Sequence, residues 1–107
     1  TAAQGNVLNA RFVNDFLNLK SENGYQKLPG GLIIQWGLST GASSRTATFP
    51  IAFPNECLNI SGSTYLPLGN FQTCSFRNAT NQNFGIQTGD VNNVAQPNPV
   101  KWFAIGY

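Results

Sequence analysis

Residues 24–37, GYQKLPGGLIIQWG, constrain this chain more tightly than any other stretch. Leu28-Pro29-Gly30-Gly31 is a turn signal, since proline fixes φ and glycine admits backbone conformations that other residues avoid. The run that follows is short and apolar, and it ends at another glycine, which is the mark of a buried strand. Along an extended segment Leu32, Ile34 and Trp36 share one face, while Ile33, Gln35 and Gly37 share the other. The first face is wholly apolar and the second turns polar after Ile33, so the sequence predicts a strand with Trp36 packed in a core.

The remainder is punctuated into further strands. In 46–53, Thr48 and Pro50 alternate with Phe49, Ile51 and Phe53, and the prolines at 50 and 54 place this strand at an edge or a bend. Runs at 57–62, 72–78, 84–88 and 100–107 complete a set of six, separated by turn residues. Six short strands within 28–107 predict an all-β fold, a small antiparallel β-sandwich. Residues 1–27 differ. Leu8, Phe12, Phe16 and Leu19 recur at helical spacing, with Asn6 as an N-cap and Asn23-Gly24 as a stop. They predict a leader carrying a short helix over 7–20, packed either on its own domain or on copies of itself. The first residue is Thr1 and not Met, so the chain is expected to be a piece of a longer one.

Composition narrows the function. Only 9% of the 107 residues are charged, and the polar remainder is Asn, Gln, Ser, Thr and Gly. That is the profile of a β-rich binding surface. The six basic residues Arg11, Lys20, Lys27, Arg45, Arg77 and Lys101 are scattered, so no phosphate-tracking patch forms and nucleic acid is not an expected partner. No apolar run approaches the roughly 20 residues of a membrane span, and membrane insertion is not expected.

Three blocks carry a family resemblance: GYQKLPGGLIIQWG at 24–37, FPIAFPN at 49–55 and WFAIGY at 102–107. Their combination and order resemble the C-terminal domain of tail fibres from tailed bacteriophages and prophages, over roughly residues 24–107. The resemblance implies a trimeric fibre tip in the virion, assembled in the host cytoplasm. It would bind a bacterial surface glycan such as lipopolysaccharide, or an outer-membrane receptor, and a fibre-assembly chaperone is a further implied partner. The architecture implied is similar to that of H-type lectins, a six-stranded sandwich that forms trimers.

The residues point the same way by removing chemistry. There is no His, the commonest general base and metal ligand. Asp15, Glu22, Glu56 and Asp90 fall in four separate segments, and a glycosidase pair of Glu56 and Asp90 would have to form across the fold. Ser43-Ser44 has no base partner in sequence. No enzyme activity, cofactor or metal is expected. Cys57 and Cys74 would face each other across a hairpin tipped at Tyr65-Leu66, yet alternation then sends Leu58 and Ile60 to the opposite face, and free thiols are the favoured reading. Asn59-Ile60-Ser61 and Asn78-Ala79-Thr80 fit a glycosylation pattern, which would matter only in a secreted lectin, a second reading of the chain. The last strand is apolar on both faces, with Trp102 and Ala104 on one and Phe103, Ile105 and Tyr107 on the other, which calls for a second burial surface such as a homotrimer supplies.

If the strands run up and down, successive loops alternate between two ends. The end away from the leader then carries residues 38–45, 63–70 and 89–99, the longest and most polar connections. Arg45, Tyr65, Asn70, Asp90, Asn92 and Asn93 fall there, offering planar donors, acceptors and a stacking ring, and they are the expected ligand-binding residues. A structural cap that only registers the chains of a fibre, or a polysaccharide-cleaving enzyme, are the competing readings.

Overall fold

A computed structural model describes residues 17–65, 72–92 and 94–107. Among these the chain forms eight strands: β1 Asn18–Leu19, β2 Gly24–Lys27, β3 Ile33–Ser39, β4 Ser44–Thr48, β5 Cys57–Thr64, β6 Gln72–Arg77, β7 Asn83–Asp90 and β8 Val100–Gly106. One sheet has the order β1-β2-β3-β8-β5 and the other β4-β7-β6, and every pairing is antiparallel. The expected all-β antiparallel architecture is present, with eight described strands in place of six. The extra pair, β1 and β2, comes from the stretch read as a leader. Most of the predicted helix lies outside the described residues, but its last residues, Asn18 and Leu19, are strand. Asn23 lies in the turn that returns β1 onto β2 and Gly24 opens β2, with Asn18 facing Gln26 and Leu19 facing Tyr25.

The core lies between the sheets and is built on aromatic rings. Phe49, Phe53, Phe84 and Trp102 are buried, and edge-on or tilted contacts link them at centroid separations of 4.9–5.7 Å. Ile33, Ile86, Val100 and Ala104 fill the space around them. The alternation along β3 is the reverse of the predicted one: Ile33, Gln35 and Gly37 point inward and Trp36 outward. Two facts make this face the buried one. Gln35 is fully buried because its amide is satisfied at both ends, Nε2 donating to Ile51 O at 2.8 Å and Oε1 accepting from Ile51 N at 3.0 Å. At Gly37 there is no room for a side chain, since a Cβ would come within 2.6 Å of the Trp102 ring. Trp36 instead lies half-buried over Gly24 on the outer face, with Nε1 donating to Ser21 O at 2.8 Å.

The strand predicted over 46–53 ends early. β4 stops at Thr48, and Pro50, which has no N–H, breaks the ladder. Residues 49–56 then cross from one sheet to the other, held by Phe49 N to Gln82 O, Phe53 N to Asn81 O and the Gln35 amide. On β5 a bulge at Leu58 resets the register against β8, from Cys57 opposite Gly106 to Asn59 opposite Ile105. Cys57 and Ile60 therefore both pack toward the core, while Leu58 is exposed. β5 and β6 sit in different sheets and form no hairpin ladder. Cys74 lies beside Gly62, and Cys57 is 62 − 57 = 5 positions back along β5, roughly 16 Å at the usual rise per residue. Both cysteines are free thiols.

Candidate functional site

The register fixes two ends for the sandwich. Ile33, Cys57 and Gly106 are level at one, and Ser39, Thr64 and Val100 at the other. Strands β3 to β8 alternate in direction, so the strand ends joined by the β3–β4, β5–β6 and β7–β8 connections lie at the second end. The first end carries the 53–56 crossover, the β6–β7 turn and Tyr107, where Asn55 N and Glu56 N both donate to Tyr107 O at 2.7 Å.

Arg45 is the clasp of the loop end. Half-buried, it donates from Nε to Ser39 Oγ at 2.9 Å, from Nη1 to Ala42 O at 2.7 Å, and from Nη2 to Ser39 O at 2.9 Å and Asn98 O at 2.8 Å. Burial lowers its pKa below the usual guanidinium value, an effect opposed by Cys74, and an arginine remains charged throughout the working pH range. One side chain thus ties two loops together. Asn98 extends the network, its Nδ2 donating to Gln72 Oε1 at 2.8 Å, and the buried Thr88 hydroxyl donates to Gln96 O.

The other expected residues occupy different situations. Tyr65 is about half exposed, its N donates to Pro99 O at 2.8 Å, and Lys101 Nζ stands 3.9 Å from its ring centroid. Asp90 closes a local turn, Oδ1 accepting from Asn92 N at 2.9 Å and Val94 N at 3.0 Å. The Val94 bond, ahead of that from Asn92, holds the Asp90 carboxyl below the ordinary carboxylate range. Asn92 is exposed. Asn70 and Asn93 lie outside the described residues. Arg45 and Asp90 are thus engaged in shaping the loops, while Tyr65 and Asn92 present surface to solvent.

Gln72, Asn98 and Lys101 join this end without having been singled out from sequence. The outer face of the β4-β7-β6 sheet, which runs from the loop end to the β6–β7 turn, was not singled out from sequence either. Ser44, Thr46 and Thr48 on β4 and Thr73, Ser75 and Arg77 on β6 recur at period two and are exposed. Between them β7 presents Gly85, Gln87 and Gly89. Arg77 Nη2 donates to Ser44 Oγ at 2.8 Å and Nη1 to Gln87 Oε1 at 3.4 Å. It lies across Gly85, where a Cβ would meet Arg77 Cγ at 3.0 Å. A cavity of about 350 Å³ opens beside Thr73, Gln87 and Ala95, and another of about 300 Å³ beside Thr46, Arg77 and Asn83.

Glu56 sits at the crossover end and Asp90 at the loop end, separated by the length of β8, roughly 20 Å for its seven residues. They do not form a carboxylate pair. No group of three or more His, Cys, Asp or Glu that could hold a metal is present among the described residues.

Known proteins resemble this chain in sequence and in fold. It is 35% identical over 105 residues to an uncharacterised protein of Methanocaldococcus jannaschii, covering 89% of this chain and 70% of that one. An N-truncated R1-type pyocin tail fiber superposes with a TM-score of 0.72 at 27% identity, over 92% of this chain and 95% of that one. An N-truncated R2-type pyocin tail fiber gives a TM-score of 0.71 at 30% identity, over 85% of this chain but only 37% of the fiber chain. The family model described as "Putative tail fiber protein gp53-like, C-terminal" matches residues 27–107, and the chain therefore belongs to this family of tail-fibre C-terminal domains.

Proposed function

We propose that this domain is the receptor-binding tip of a tail fibre, attaching its particle to a bacterial surface glycan such as lipopolysaccharide. The observation that carries the reading is the convergence of three connections at one end of the sandwich, clasped by Arg45 and Asn98. Rigidly held loops on a β scaffold are the usual place for recognition. Tyr65 offers a ring face for stacking on a sugar and Asn92 an amide for sugar hydroxyls, and Asn70 and Asn93, which lie outside the described residues, are the same residue type. Contacts in such a wet, shallow site contribute on the order of 1 kcal/mol each, so useful attachment depends on several copies binding together.

The domain acts as a homotrimer without enzymatic activity. Support for the trimer is the outer face of the five-stranded sheet, where Ile34 faces Ile105 and Trp36 faces Phe103. That apolar stripe suits burial against a second copy, whereas the outer face of the other sheet is polar. Support for a binding role over a catalytic one is the absence of His from the chain and the separation of Glu56 from Asp90.

A cell-binding assay with the 107-residue chain, run beside an array of bacterial glycans, tests the reading. Attachment to particular strains, weakened by Tyr65→Ala or Asn92→Ala with melting temperature unchanged, supports it. A domain that binds neither cells nor glycans is a structural cap, and release of reducing ends from a bound polysaccharide would make it an enzyme.

A further inference from the structure

We infer that the saccharide bound by this domain is acidic and lies along the outer face of the three-stranded sheet, with its carboxylate or phosphate on Arg77. The inference rests on the receptor-binding reading above and names both the ligand chemistry and the surface it occupies.

The argument begins with the two outer faces of the sandwich. One carries Ile34, Trp36, Phe103 and Ile105, and the other carries hydroxyls, amides and one guanidinium. A polar face of this kind is not required for folding, since the core is already closed by the inward residues of β4, β6 and β7. Its relief comes from glycine. Gly85 and Gly89 let neighbours pack flat on the middle strand, Arg77 over the first and the 94–95 segment over the second, and a cavity opens beside each of these covers. Together they make an interrupted groove from the clasped loops down the sheet, with Gln87 between. Hydroxyls on β4 and β6 flank the middle strand, so a saccharide lying across the sheet would meet hydroxyls of both outer strands.

The charge decides the class of sugar. Arg77 is held in place by two neutral partners, Ser44 and Gln87, which use two of the five N–H donors of a guanidinium. None of the residues lining either cavity carries a carboxylate. A positioned guanidinium with donors to spare and no anion beside it is suited to a planar carboxylate or a phosphate, which it grips with a bidentate fork. The rest of the lining is mainly Ser, Thr, Asn and Gln, which offer neutral hydrogen bonds for ring hydroxyls, with Cys74, Phe84 and Ala95 as its apolar members and Arg45 as a second guanidinium.

The test uses the 107-residue chain on an array holding uronic-acid-bearing, phosphate-bearing and neutral bacterial oligosaccharides, with binding to whole cells measured in parallel. Acidic glycans are expected to bind. Arg77→Gln should weaken them about tenfold or more, the usual scale for one charge-assisted contact, and Arg77→Lys should recover part of the loss. Gln87→Ala and Gly85→Ala should each weaken binding too, the latter by displacing Arg77, with Tm of the Arg77 and Gln87 variants unchanged. Binding of neutral glycans alone, or acidic-glycan binding that Arg77→Gln and Gln87→Ala leave intact, overturns the inference while sparing the receptor reading. Attachment to cells with no glycan bound points to a protein receptor and also overturns it. Loss of both cell and glycan binding in the unaltered chain removes the receptor reading itself.

Discussion

Gln35 and Ile51 form a closed pair, in which one buried side-chain amide both donates to and accepts from the backbone of a single residue 16 positions away, at 2.8 and 3.0 Å. The pair anchors the 49–56 crossover to the middle of β3 and lets a polar residue occupy the core face. Gln35→Leu keeps the volume but takes from the half-buried Ile51 both its N–H and its C=O partner. It should destabilise the domain by about 2–4 kcal/mol, measured by chemical denaturation, since each unmet buried group costs about 1–3 kcal/mol. An unchanged midpoint would mean that water replaces the amide.

The two tryptophans should behave differently. Trp102 is buried against Phe49 and Phe84, so Trp102→Ala should cost about 3–5 kcal/mol through the cavity it leaves. Trp36 lies on the outer face over Gly24, and Trp36→Ala should lower the stability of an isolated subunit much less. Equal losses in thermal melts of the two variants, at a concentration where both are monomeric, would contradict this assignment of faces.

Strand positions in the second half of the chain were legible because glycine, proline and asparagine bracket each run, and the up-and-down direction of β3 to β8 follows from their number. Which sheet each strand joins was not legible, since β5 and β6 are consecutive yet belong to different sheets. Periodicity also pointed Trp36 inward. Hydropathy alone counts Gln35 against a core face, and only the position of Ile51 after the crossover reveals that its amide is satisfied. The bulge at Leu58 likewise hides from a period-two reading, because it shifts Cys57 and Ile60 to one face. Free thiols are the outcome, though spacing along β5 explains it and the supposed conflict at Leu58 does not. At the loop end the grouping of connections was legible from parity. The division of labour was not, because whether Arg45 points at solvent or at the carbonyls of Ser39, Ala42 and Asn98 depends on loop geometry.

Asp90 gives the loop end a pH dependence with a definite sign. Its carboxylate accepts from Val94 N and Asn92 N, and its folded pKa is depressed. The stabilisation of this turn is therefore complete above the unfolded carboxylate value of about 3.9, and it is lost as pH falls through the lower folded value. Amide shifts of Asn92 and Val94 should titrate together with a midpoint below that of a free aspartate. Asp90→Asn should keep the turn and abolish the titration, while Asp90→Ala should remove both side-chain bonds at every pH and leave the backbone bond from Asp90 N to Val94 O. A midpoint at or above the ordinary value would show that the bonds to Oδ1 do not persist in solution.

The outer face of the five-stranded sheet predicts the state of assembly. β3 and β8 lie side by side with Ile34 opposite Ile105 and Trp36 opposite Phe103, and the exposed Leu32 and Tyr107 adjoin the two strands at the crossover end. Phe103 is 45% exposed and Tyr107 42%, values that leave large rings in water in a lone subunit. Burying such side chains contributes about 1.5–3 kcal/mol each, so a shared interface repeated in three copies would dominate the stability of the assembly. Sedimentation at micromolar concentration should show a trimer. The double change Phe103→Ser with Ile105→Ser should shift it to monomer, because both residues lie on the face opposite Trp102 and Ala104 and their loss leaves the aromatic core in place. A dissociated variant should retain its β-sheet circular dichroism but lose attachment to cells through lost multivalency. An unaltered chain that sediments as a folded monomer would sink the prediction and leave the apolar stripe in need of another occupant.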